Sequence, residues 1–325
     1  MPRSWLEVLF AIFAGMMRRI KRILAVLIVT GALALLALYL IMHSRQETTD
    51  LNDAVRSEAP GKFIRLRHGL VHYSLQGPDT SRLLLFIHGG GITGMEVWRK
   101  TIPYFLSQGY RVLSYDLYGR GYSDRPPEDN TPALLGDQLD QLIDTLDIRE
   151  HFDVIAMSMG AIVALDFAVK HLDQVDKVVL LDPAATGDFK PSWSLRIPLV
   201  SDFVITVYWH PRAVENQRKE FVNQPMFETY TKRLRHFMKF RGYKKVNHDT
   251  WLYILTQNRL AKVKQLPPNR LLIIYGDHDP FFPNIPQYED VYPSLQTALI
   301  KDTGHMPHFE KPDEVNPIIL EFLRK

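Results

Sequence analysis

The stretch FDVIAMSMGAIVALDFAVKHL, residues 152–172, leaves a chain few options. Its first six residues are a largely apolar run, the pattern of a strand buried on both faces. Residues 160–172 carry the pattern of an apolar helix. Only Ser158 and Met159 lie between the two. So short a junction forces a sharp backbone bend and holds the serine in strain. Small residues stand two positions to either side, Ala156 and Gly160, with Ala161 beyond, so strand and helix can approach. The helix N-terminus then aims its N–H groups at negative charge forming beside the hydroxyl. Ser158 is thereby offered at the edge of a sheet rather than lost in a core.

The rest of the chain repeats this alternation. KFIRLRHGLVHYSLQG reads as a hairpin around His68-Gly69. Residues 82–87, 111–116, 177–182, 270–275 and 296–301 read as further strands. Residues 95–108 and 134–146 show helical spacing, and 317–323 belong to a closing helix. Apolar strands alternating with amphipathic helices predict an α/β fold with a mostly parallel sheet covered on both faces. The alternation stops between residues 185 and 267, where aromatics from Trp193 to Tyr253 gather. That segment reads as an inserted helical cap. The core is then residues 62–184 and 268–325.

Residues 23–42, ILAVLIVTGALALLALYLIM, hold no charge. As a helix they span about 30 Å, the thickness of a bilayer's hydrocarbon core. RRIKR precedes them at 18–22, and the following segment mixes charges. The positive-inside rule then places the N-terminus in the cytoplasm and the main domain across the membrane. The run is longer than a signal peptide's apolar core, and no small-residue cleavage site follows it, which favours a retained anchor. Residues 4–17 are apolar but too short to span, and read as an interfacial segment. Initiation at Met17 would give an ordinary signal-anchor layout. Residues 43–61 are polar and read as a tether.

The formal charge of +3 is unevenly placed. Residues 1–22 hold Arg3, Arg18, Arg19, Lys21 and Arg22 against Glu7, leaving 34 Lys/Arg and 35 Asp/Glu elsewhere. The body therefore shows no basic face for nucleic acid. The chain has no cysteine, which removes thiol nucleophiles, thiolate metal sites and disulfides. No Asn-x-Ser/Thr acceptor occurs either, and both facts lean towards a bacterial inner-membrane protein. The histidines lack metal-site spacing. HGGG at 88–91 is not followed by the Lys of a phosphate loop.

Function in an open parallel sheet gathers at the carboxyl ends of strands. Here those ends carry HGGG (88–91), DLYGRGYSD (116–124), Ser158, GDHDP (276–280) and DTGHMPH (302–308). These five pieces, in this order, resemble the α/β-hydrolase family from about Lys62 to the end. FRGYKKV (240–246) is similar to segments of lipase and monoacylglycerol-lipase-like members. The resemblance implies Ser158 as nucleophile, His305 as general base and Asp279 as the acid that fixes its tautomer. It implies an oxyanion hole from the N–H groups of Gly90 and Met159. Gly91 competes with Gly90, Asp277 and Asp182 with Asp279, and His308 with His305. His88 reads as a structural hydrogen-bonder. Gly119, Gly121, Ser123 and Asp124 read as loop formers.

The resemblance implies hydrolysis of carboxylic esters with no cofactor, and the anchor and the aromatic cap fit a small-molecule ester or lipid substrate with an apolar acyl chain. Carbon–carbon bond hydrolases, serine aminopeptidases and perhydrolases use the same triad, so fold and triad leave these open. Epoxide hydrolases and haloalkane dehalogenases of the family need aspartate where Ser158 stands. A tethered binding protein without catalysis is the remaining alternative.

Overall fold

The computed structural model describes residues 5–280 and 285–325. Met1, Arg3 and Ser4 of the N-terminal readings lie outside them. The chain divides into two compact units, residues 1–46 and 47–325.

The first unit is one helix, Trp5–Arg45. It is long and apolar enough to cross a membrane by length and composition. Ile28 is 70% exposed, as are its neighbours in the main. The expected interfacial segment before residue 18 is not separate. It continues into the same helix, because no Gly-Pro or capping signal interrupts residues 14–22.

The second unit is built on eight strands. They are β1 (Lys62–Leu66), β2 (Gly69–Gln76), β3 (Leu83–Ile87), β4 (Arg111–Tyr115), β5 (Phe152–Met157), β6 (Val175–Leu181), β7 (Leu271–Gly276) and β8 (Gln296–Ile300). Their spatial order is β1-β2-β4-β3-β5-β6-β7-β8. β1 and β2 pair antiparallel, as do β2 and β4, and every other pair is parallel. All residues of β3, β5 and β7 are buried, which explains their largely apolar runs; Asp153 in β5 is paired with Arg82.

Alternate residues of each strand feed two cores. Leu83, Leu85 and Ile87 face Leu135, Leu139 and Leu142 of helix Pro132–Thr145, with Ile162 and Leu165 of helix Gly160–Lys170. Leu84, Phe86 and Ile155 join Trp98, Phe105, Ile319 and Phe322 on the opposite side. Thr131 Oγ1 accepts from Leu134 N, and Pro132 opens the first turn of its helix.

Between β6 and β7 lies a helical insertion whose longest helix is Gln224–Phe237. Arg233 Nε pairs with Glu96 at 2.7 Å and fastens that helix to the loop after β3. Residues 47–61, read from their polarity as a tether, are docked instead. Thr49 N bonds Lys239 O at 2.9 Å, Glu47 accepts from Lys244 N at 2.6 Å, and Arg56 pairs with Asp124. Polar side chains here find partners on the body rather than in water.

Candidate active site

The junction after β5 bends as its length demands. Ser158 has φ of 48°, a left-handed conformation costly for a residue with a Cβ. Its N–H bonds Leu181 O at 2.8 Å, and its carbonyl takes Ala161 N at 3.0 Å and Ala184 N at 3.1 Å. These bonds from the strand and helix beside it hold the strain in place. Gly160 is required by approach: a Cβ there would lie 2.5 Å from His88 O and 2.8 Å from Ile87 O.

His305 stands after β8. Its N–H bonds Glu220 O of the insertion at 2.8 Å. Gly304 passes so close that a Cβ would lie 2.1 Å from the same oxygen. Glu310 adds a buried carboxylate that accepts from Gly304 N at 2.8 Å and Asn223 N at 2.5 Å. The insertion and the histidine loop are thereby bolted together.

His305 Nδ1 lies 3.0 Å from Asp279 Oδ2, and both residues are buried. Burial disfavours the imidazolium. Asp279, by charge and by hydrogen bond, outweighs it with a smaller push from Glu220, and the pKa is raised to about 9. Asp277, the nearer rival in sequence, turns away: its Oδ1 meets His278 Nδ1 at 2.6 Å and Thr303 N at 3.2 Å. His308 packs its ring 4.5 Å from that of Trp98, and burial pushes its pKa down to about 3. His88 Nε2 accepts from Leu117 N at 2.9 Å, so it organises the loop behind the site.

Gly90, Gly91, Ser158, Met159 and His305 line one cavity of about 430 Å³. Among the described residues, no backbone hydrogen bond engages the N–H of Gly90, Gly91 or Met159. Gly91 differs in its surroundings: a Cβ there would meet Tyr230 Oη at 3.1 Å. The wall is mostly apolar, with Ile92, Met157, Phe189, Leu234, Trp251, Leu255 and Met306. Asp188, Lys190 and Glu220 add charge at its margin. Burial pushes the Glu220 carboxyl up to about 7.

Glu220 and Arg120 carry no sequence signal, and Asp182 reads from sequence only as a rival to Asp279. Glu220 has no motif around it and reaches the cavity only because the insertion folds over His305. Arg120 looked like part of a loop, yet it is fully buried and donates to Gly90 O (3.2 Å), Tyr118 O (3.2 Å) and Asn130 Oδ1 (3.1 Å). Its grip on the Gly90 carbonyl fixes how that peptide is turned. Asp182, at the end of β6, lies with Asp279 and His305 so that one oxygen or nitrogen of each is within 4.8 Å of the others. A cation placed among these three would compete with the bond from His305 to Asp279.

The Burkholderia vietnamiensis (strain G4 / LMG 22486) 2-hydroxy-6-oxononadienedioate/2-hydroxy-6-oxononatrienedioate hydrolase is 27% identical over 275 residues. The match spans 78% of this chain and 91% of that one. Carboxylesterase YbfK of Bacillus subtilis (strain 168) is 22% identical, over 82% of this chain and 88% of its own. The crystal structure of MGS-M2, an α/β hydrolase enzyme from a Medee basin deep-sea metagenome library, superposes with a TM-score of 0.68. Its identity is 18%, over 81% of this chain and 98% of that one. The alpha/beta hydrolase family profile matches residues 84–318, and with this sheet order the chain belongs to that family.

Proposed function

We propose that this chain is a serine hydrolase of carboxylic esters with an apolar acyl group. The observation that carries this reading is the placement of strained Ser158 and of His305, backed by Asp279, on one largely apolar cavity. His305 Nε2 takes the Ser158 proton as Oγ attacks the ester carbonyl. The N–H groups of Met159 and Gly90 receive the oxyanion. The tetrahedral intermediate expels the alcohol, which leaves with the proton from His305. Water, activated by the same imidazole, then frees the acid from Ser158. The apolar wall suits an acyl chain, and the N-terminal helix suits a retained anchor that keeps the domain near lipid on the extracytoplasmic side.

A second reading, hydrolysis of a dioate on the same triad, rests on the Burkholderia relative's name. Asp188 and Lys190 on the cavity oppose each other in charge, and the mostly apolar wall suits an acyl chain better than a second carboxylate.

Membranes carrying wild type or Ser158→Ala are treated with a fluorophosphonate probe. Labelling of the wild type alone supports an activated serine. A p-nitrophenyl ester series of rising chain length, set against 2-hydroxy-6-oxononadienedioate, separates the two readings. No labelling of folded wild type refutes both and moves the non-catalytic alternative forward. Alkaline extraction tests the anchor, and release of the chain into the supernatant would defeat it.

A further inference from the structure

Asp182 is a buried carboxyl with no role in the mechanism above. It is 0% exposed and has φ of 43°, so its position is held against backbone strain. Its N–H bonds Ile274 O at 2.9 Å, and its Oδ1 accepts from Gly276 N at 3.0 Å. Its Oδ2 has no hydrogen-bond donor among the described residues. A carboxyl oxygen of Asp182, one of Asp279 and a ring nitrogen of His305 all lie within 4.8 Å of one another, and Asp279 Oδ2 faces His305 Nδ1 at 3.0 Å.

Two ionised carboxylates cannot hydrogen-bond each other, and at this separation in a dry site they cannot both stay charged. Asp279 faces the imidazole and is the better place for the charge. The proton belongs on the orphaned oxygen of Asp182, which then becomes a donor. We infer that Asp182 is neutral in the resting protein and donates its Oδ2–H to Asp279 as a positioning residue for that acid. The inference rests on the serine-hydrolase reading for its purpose, though not for its geometry.

The surroundings agree. Burial pushes Asp182 well above the usual carboxylate range and the Asp279 charge adds to it, while His305 opposes. The phenols of Tyr275 on β7 and Tyr288 on helix Ile285–Val291 are neutral neighbours, and Tyr288 Oη donates to Pro183 O at 3.2 Å. Glu220 acts from the insertion on His305 and Asp279. A neutral Asp182 leaves one negative charge, not two, in the pair behind the imidazole. A second charge would hold the proton on His305 and suppress its use as a base.

The test uses the full chain in detergent with two variants that suit a positive φ, Asp182→Asn and Asp182→Gly. Two quantities are read: the pH dependence of fluorophosphonate labelling, and the ¹⁵N titration of the His305 ring, identified by its loss in His305→Gln. Asn is a permanently neutral donor, so His305 should titrate within about 0.3 of its wild-type pKa. Glycine removes the donor, so labelling should slow about tenfold and the His305 pKa should rise. A drop of about one or more in Asp182→Asn would mean that Asp182 is ionised, which overturns the inference. Wild-type labelling kinetics in Asp182→Gly overturn it as well. So does activity lost to EDTA and restored by a divalent cation, since a cation would then stand in place of the proton. Folded wild type that never labels refutes the hydrolase reading, while the ring titration still decides the state of Asp182.

Discussion

His305 Nδ1 and Asp279 Oδ2 lie 3.0 Å apart although 26 residues and two strand ends separate them. Asp277 is two residues closer to the strand and points to His278 and Thr303 instead. β7 and β8 run parallel as neighbours, so the loops leaving their carboxyl ends meet. The side chain that completes the pair is chosen by the turn after Gly276.

That choice predicts a sharp contrast between two conservative substitutions. Asp279→Asn should cut labelling and esterase rates by about 10³–10⁴-fold, because the ring loses its tautomer partner. Asp277→Asn should stay within about threefold of wild type, as expected for a surface change remote from reacting atoms. Comparable losses in both would remove Asp279 from the assignment.

With His305 as the proposed base, its raised pKa should set the acid limb of activity. A base must be neutral to accept the Ser158 proton, so the rate grows as the imidazolium deprotonates. With the pKa pushed up to about 9, kcat/KM should still be climbing above neutral pH. A plateau reached below the ordinary histidine value of about 6.5 would contradict the carboxyl cluster behind the ring.

Glycines at two helices should respond oppositely to a methyl group. Gly160→Ala drives a Cβ against the backbone oxygens of His88 and Ile87, which cannot swing aside. It should destabilise by about 1–3 kcal/mol and slow labelling. Gly136 sits within helix Pro132–Thr145 with nothing within 4 Å of a Cβ, so Gly136→Ala should stabilise by about 1 kcal/mol. Urea unfolding of the two variants beside wild type reads both signs.

Acid should weaken the fold through two buried neutral histidines. Burial lowers the pKa of His88 to about 4 and of His308 to about 3. The unfolded chain, with histidines near 6.5, binds the extra protons first, so stability falls as pH drops below that value. At pH 5 each residue costs about 2 kcal/mol. His305 has the opposite sign: its contribution is intact below about 6.5 and is lost as pH rises through about 9. Removing one titrating group in His308→Leu should shrink the urea-stability gap between pH 7 and 5 by about 2 kcal/mol. An unchanged gap would show that His308 accepts its proton without cost.

The sequence alone determined the sheet, the elbow and an apolar helix over residues 23–42, while its continuation back to Trp5 was not foreseen. Strand runs such as LLLFI and a serine with one residue between it and a helix are local patterns, and local sterics suffice to read them. The strand ends that gather His305 and Asp279 followed from the same alternation. Tertiary structure alone decided what faces the cavity. Glu220 reaches His305 because the insertion folds across the histidine loop, and Arg120 reaches Gly90 O because two loops cross. Residues 47–61 look like a tether by composition, yet they pack on the body through Thr49, Glu47 and Arg56. Asp182 stands beside Asp279 because β6 and β7 are neighbours in the sheet, although a helical insertion separates them along the chain. Periodicity records which face a residue shows, while its partners depend on how distant segments close upon one another.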